Sequence, residues 1–215
     1  MRALLIAALS SLLCLPCSKA AIFITEVMSN SAHPGGTSNG DWFELTNTGT
    51  LAVNISGWSW DDDSNTPGTA GFGGLSIINP GESILVVRET TGQESSWASD
   101  WGISGVTLVN VGAGTGVPDF SVSGDTLYIY DNTNAEVTTV TFGASTQGVS
   151  FEWDGFGNSL GLSVTGENGA IQATSNGASG SGVDIGSPGV AQIPEPSRAL
   201  LCLLGSLTVT LRRRR

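Results

Sequence analysis

Asp41-Trp42-Phe43-Glu44-Leu45-Thr46-Asn47-Thr48-Gly49 places Phe43 and Leu45 on one side of an extended chain and then stops at an Asn-Thr-Gly turn. Period-two order of this kind is the signature of a β-strand with one face turned to a core. The pattern repeats outward in both directions. Runs rich in β-branched and aromatic residues, bounded by Gly, Asn, Asp, Ser and Pro, predict strands at 22–28, 42–46, 52–56, 57–60, 83–87, 107–110, 126–130, 137–142 and 149–153. No window carries a sustained 3.6-residue apolar stripe. Gly supplies 29 of the 175 residues from 21 to 195, well above the average of about 7%, as many tight turns require. An all-β antiparallel sandwich or barrel is expected, with Trp58 and Trp60 on one strand face filling the gap between sheets.

The ends read differently. Residues 1–20 begin with Arg2, run through an apolar stretch from Ala3 to Leu15, and finish in Ser18-Lys19-Ala20. This is the layout of a secretory signal peptide cleaved after Ala20. Pro16 before Cys17 argues against lipidation, where a small residue would be expected. At the other end, Pro194-Glu195-Pro196 precedes an apolar stretch, Ala199 to Leu211, that stops at Arg212, Arg213, Arg214 and Arg215. Thirteen residues of helix reach only about 20 Å, short of a hydrocarbon core of about 30 Å, so a transient signal fits better than a permanent anchor. The order Pro-Glu-Pro, short apolar helix, Arg cluster resembles the PEP-CTERM sorting signal of Gram-negative bacteria. That resemblance implies an exosortase-type processing enzyme as partner, transient insertion in the inner membrane, and delivery to the cell surface, outer envelope or extracellular matrix.

Charge narrows the partners further. The 215 residues carry a formal net charge of −11, and from 21 to 195 only Arg88 is basic against nineteen acids, a formal −18. Nucleic acid is excluded as a partner, since binding it rests on Lys and Arg neutralising phosphates; an anionic membrane surface is excluded likewise. Cys14, Cys17 and Cys202 all lie in the end segments, so the body has no thiol for a disulfide, a nucleophile or a metal.

Taken together, Ile24-Thr25-Glu26-Val27-Met28, the block at 41–49, Val53-Asn54-Ile55-Ser56-Gly57-Trp58 and Ile78-Asn79-Pro80-Gly81-Glu82 resemble the lamin tail domain. Gly124 to Asp131 looks like a penultimate strand of that family, and Gly186-Ser187-Pro188-Gly189 like its usual end. The resemblance implies an immunoglobulin-like antiparallel β-sandwich acting as a non-enzymatic accessory module. The expected organisation is a signal peptide at 1–20, the sandwich at 21–165, a Gly/Ser/Asn-rich spacer or returning loop at 166–192, and the sorting signal with its short apolar helix at 193–215. The spacer reading rests on a composition poor in apolar area; a loop returning to the sandwich at Val183-Asp184-Ile185 is the alternative.

Residues able to carry chemistry are few. His33, the only histidine, sits beside Pro34 in a turn-like stretch, and Arg88 is the sole candidate for an oxyanion contact. Asp41 with Glu44, and Glu152 with Asp154, are the carboxylate pairs a glycosidase would need; a solvated strand face is the expectation for Glu152 and Asp154. Asp61, Asp63 and Asn65 offer oxygens at alternate positions, as a Ca2+ loop does, although Thr66 and Phe72 break the EF-hand spelling. Trp97 and Trp101, in a loop-like stretch, are the candidates for glycan contact. The functional expectation is a surface or matrix interaction module without a cofactor, meeting extracellular polysaccharide or surface proteins, with a carbohydrate-binding module and an exported hydrolase as alternatives.

Overall fold

The computed structural model describes residues 21–32, 40–112, 114–174 and 183–193. Both end segments and His33 lie outside the described residues. The elements are β1 (Ile22–Met28), β2 (Trp42–Asn47), β3 (Val53–Asn54), β4 (Ser59–Asp61), β5 (Ala70–Gly71), β6 (Ile77–Ile78), β7 (Ser83–Val87), α1 (Glu94–Asp100), β8 (Thr107–Asn110), β9 (Asp125–Tyr130), β10 (Glu136–Phe142), β11 (Phe151–Trp153), β12 (Ser159–Leu162), β13 (Ile171–Gln172) and β14 (Ile185–Gly186).

A six-stranded sheet in the order β12-β11-β1-β2-β7-β8 packs on a four-stranded sheet in the order β10-β9-β4-β5, and two short pairs, β3 with β6 and β13 with β14, close the edges. The expected all-β, immunoglobulin-like class holds. The one departure from antiparallel order in the named sheets is β7 with β8, which pair in parallel because α1 makes the crossover between them.

The layer between the sheets is apolar: Ile24, Val27, Phe43, Leu45, Ile84 and Val86 from the larger sheet meet Trp60, Leu127, Ile129, Val140 and Phe142 from the smaller. Phe43 and Trp60 meet edge to face at 5.0 Å between ring centres. The larger sheet is covered on its other face as well, so every residue of β2 is buried. At one end of that outer face, Met28, Trp42, Leu85 and Val87 take up Trp97 and Trp101 from α1 and the turn after it. Trp97 and Trp101 stand one helical turn apart and pack edge-on against Trp42 at 5.8 and 5.7 Å. The seven-residue helix stops where Gly102 takes φ +63°, a conformation that lets Gly102 and Ile103 donate to Ser99 and Ala98.

A bulge decides what covers the rest of the outer face. In β1 the alternation Ile22, Ile24 would carry Glu26 into the apolar layer, but the register shifts between Ile24 and Glu26. The extra residue resets the parity, so Val27 turns inward while Thr25 and Glu26 turn outward. Part of the chain expected to be a spacer then lies over them. Ile185 and Gly186 pair with Gln172 and Ile171, Ile185 accepts from Ser150 and donates to Gly148, and Gln192 bridges Asp154. The returning loop is thus the form taken by 166–174 and 183–193, and the sandwich does not end at 165.

Candidate functional site

Glu152, Glu26 and Glu44 stand side by side on three neighbouring strands: Glu26 is the register partner of Glu152 on β11 and of Glu44 on β2. All three are buried, at 3%, 1% and 0% exposure. Like charges directly opposite one another repel, and carboxylates removed from water are costly to ionise. Hydroxyls and amides surround them. Glu26 Oε1 accepts from Ser150 Oγ (2.5 Å) and the Ser187 amide (2.8 Å), and its Oε2 accepts from Ser187 Oγ (2.9 Å). Glu44 Oε1 accepts from Thr25 Oγ1 at 2.6 Å, and its Oε2 from the Gly189 amide at 2.6 Å. Glu152 accepts from Ser163 Oγ (2.6 Å) and Asn168 Nδ2 (2.9 Å), and Ser150 and Ser163 join hydroxyls at 2.6 Å.

Burial pushes the Glu26 carboxyl up to about 8, helped by the neighbouring Glu44 charge and opposed by the Ser150 and Ser187 bonds. Burial likewise raises Glu44 to about 7, against the bonds from Thr25 and Gly189. Asp41, at the start of β2, is raised by burial to about 7 although the Ser31 amide and Arg88 favour its ionised form. Among the described residues Arg88 is the only basic side chain, and it sits 2.5 Å from Asp119. Chemically Glu26 and Glu44 can hold protons near neutral pH. The segment across it keeps its oxygens from reaching a substrate.

Glu26, Ser150, Asp184, Ser187 and the close-packed Gly186 escaped the sequence reading. A Glu in the middle of an apolar strand, matched by Glu44 in the next strand, was the available signal. The carboxylate pairs taken from sequence do not assemble as such. Glu152 lies under Ser163 and Asn168 instead of on a solvated face, and Asp154 turns to solvent, where it caps the turn at Phe156 and Asn158. Asp41 bonds Ser31, away from Glu44. Trp97 and Trp101 are 0% and 2% exposed, so they cannot stack on a glycan; two bulky rings one helical turn apart found the core. Trp58 is half-buried against the sandwich, and Trp60 is fully buried.

In the acidic loop Asp61 is buried, its Oδ2 accepting from Ser64 Oγ and the Thr66 amide, both at 2.6 Å, while its Oδ1 has no hydrogen-bond partner. Asn65 Oδ1 accepts from the Tyr130 hydroxyl, and the Asp63 amide donates to Asp125. Among the described residues no group of three His, Cys, Asp or Glu side chains is placed to hold a metal. Ligation at Asp61, Asp63 and Asn65 would break internal bonds of the loop. The expected result is that millimolar calcium raises the thermal midpoint no more than sodium chloride of equal ionic strength; a saturating extra rise that Asp61→Asn removes would show a specific site.

Among the described residues no helix is long and apolar enough to cross a membrane. No curated protein matches the chain. The family model described as Lamin Tail Domain matches residues 16–144, which takes in β1 to β10 and leaves β11, Glu152 and the covering segment beyond the matched span. With three fifths of its length matched and an immunoglobulin-like sandwich in place, the chain belongs to the lamin tail domain family, a family of structural modules.

Proposed function

We propose that the chain is an exported, surface-sorted interaction module: a non-enzymatic sandwich carried across the inner membrane and placed at the cell surface or in the extracellular matrix. The observation that carries this reading is the order of the C-terminal residues, Pro194-Glu195-Pro196, then thirteen residues from Ala199 to Leu211, then Arg212 to Arg215. The arginines hold the tail on the cytoplasmic side while the domain sits outside. The apolar stretch is too short for a comfortable permanent span and suits handling by a processing enzyme of the exosortase type. A single basic residue from 21 to 195, against nineteen acids, suits a surface that stays soluble and meets neutral polysaccharide or other surface proteins.

Intact mass of material recovered from the cell surface should begin at Ala21 and lack Arg212 to Arg215. The double substitution Pro194→Ala with Pro196→Ala should leave the full C-terminus in place and the protein in the inner-membrane fraction. Surface material that retains Arg215 would overturn the sorting reading.

A further inference from the structure

Beside the backbone pairings of Ile185, Gly186 and Gln192, the segment 183–193 is joined to the sandwich through carboxyl groups. Its Ser187 and Gly189 amides and the Ser187 hydroxyl donate to Glu26 and Glu44, and its own Asp184 accepts from Ser31 Oγ and the Ala32 amide at 2.5 and 2.6 Å. The fit is close: a Cβ on Gly186 would stand 2.6 Å from Glu26 Oε1, 2.9 Å from Ser150 Oγ and 3.2 Å from Trp42. Little apolar area holds it, since Val190 and Ile193 are 48% and 41% exposed. Three carboxyls stand in register beneath it, and burial of the neighbouring Glu26 and Glu44 disfavours their charged forms.

We propose that the Glu152–Glu26–Glu44 row is a proton-operated clasp for residues 183–193. With protons in the row the segment lies docked; with the row fully ionised it lifts off as a unit, and the sandwich beneath stays folded. The ionised row gains water once uncovered, which the docked segment denies it. Other charged groups around the clasp are few. Asp119 and Asp184 raise the cost of ionising Asp41, just ahead of β2, and Arg88 lowers it, while Glu82 is half-buried and Glu167 exposed. No cation among the described residues compensates the row itself. Burial and the neighbouring carboxylate both raise Glu26, and burial raises Glu44, so these two take up protons well above the usual carboxylate range.

The consequence for processing rests on the sorting reading above, whereas the clasp does not. Docked, the segment brings Ile193 to the domain, one residue before Pro194. Released, the eleven residues of the segment alone contribute up to roughly 35 Å, at about 3.3 Å each, to the tether between the sandwich and the sorting motif. Proton occupancy of the row would then set how closely the processing enzyme can approach.

Hydrogen exchange read residue by residue on the full-length chain tests this. After correction for the intrinsic rate at each pH, protection of the Ser187 and Gly189 amides should fall at least about tenfold between pH 6 and pH 9, while amides of the β2–β7 ladder keep theirs. Glu26→Gln with Glu44→Gln, which leaves Glu152 as the row's one carboxyl, should hold the segment protected at both pH values. Gly186→Ala, which fills the contact with Glu26, should leave the segment unprotected at every pH over an intact ladder. Protection independent of pH, loss of segment and ladder together, or pH dependence that survives the double Gln variant would each overturn the clasp. So would collapse of the whole sandwich in Gly186→Ala, because the segment would then not be separable. Intact-mass analysis of surface material reports on sorting alone, so failure of one reading is told apart from failure of the other.

Discussion

Trp60→Ala is expected to lower the unfolding free energy by about 3–5 kcal/mol, the range for emptying a buried aromatic site. Trp60 is fully buried between the sheets, with Phe43 at 5.0 Å and Phe120 at 6.0 Å between ring centres. Trp60 fills the layer between the sheets together with Leu127, Ile129, Val140 and Phe142, and its loss leaves a space the size of an indole in that layer. Since a domain of this kind holds only about 5–15 kcal/mol in total, the variant should be close to unfolding at room temperature. Trp58→Ala provides the contrast: Trp58 is half-buried just ahead of β4, after Gly57 turns the chain at φ +76°. Its loss should cost about 1–2 kcal/mol, in proportion to the area it buries. Urea midpoints at constant slope measure both. A Trp60→Ala midpoint equal to that of the parent would remove the ring from the core.

The sandwich was legible wherever a strand carried its own pattern. The runs at 22–28, 83–87 and 107–110 coincide with β1, β7 and β8, and β2, β9 and β10 differ by a residue at one end. What escaped had no local pattern to offer. β5, β6, β13 and β14 are two residues each and exist only through distant partners. β12 is exposed along its whole length and so shows no alternation. α1 is too short for a 3.6-residue stripe, and its two tryptophans, one within it and one just after, read as a loop with exposed rings. Trp58 and Trp60 were expected to share a fate, yet the strand begins only at Ser59, so the parity argument does not reach Trp58.

The carboxylate row was hidden by two further effects. Parity along 22, 24 and 26 takes Glu26 to the wrong side, and only the bulge, invisible in a single sequence, corrects it. The segment 183–193 looks like a spacer because composition measures apolar area. Here buried carboxyl groups meet backbone amides instead, and such hydrogen bonds help hold a chain whose side chains bury little. The family match ends at 144, although β11 beyond it pairs directly with β1 and supplies a third of the row.

Stability of the folded chain should fall as pH rises from about 5 to 9, opposite to the usual behaviour of surface carboxylates. Glu26 has a folded value near 8 against 4.5 in an unfolded chain, and Glu44 near 7 against 4.5. A raised value means that the folded state binds the proton more tightly, so the stabilisation is complete below about pH 4.5 and disappears as pH passes through 7 to 8. For Glu26 the shift corresponds to on the order of 5 kcal/mol, a large share of what such a domain holds. Asp41, raised to about 7 by burial, adds in the same direction. Glu82, Glu94, Asp131 and Asp154 are lowered by their hydrogen bonds and work the other way, but they are only half-buried and act only as pH falls through the ordinary carboxylate range. Denaturant midpoints should therefore peak near pH 5 and decline through 8. Above that they should level off, because lifting the segment lets the row ionise in water and ends its further demand on the sandwich. General repulsion of the acidic surface also grows with pH, but it is screened by salt, whereas the buried row is not. The decline should thus persist in about 0.5 M sodium chloride and flatten in Glu26→Gln with Glu44→Gln. A midpoint that rises steadily from pH 5 to 9 would mean that the row is ionised and compensated in the folded state, and the proton account of this site would fail.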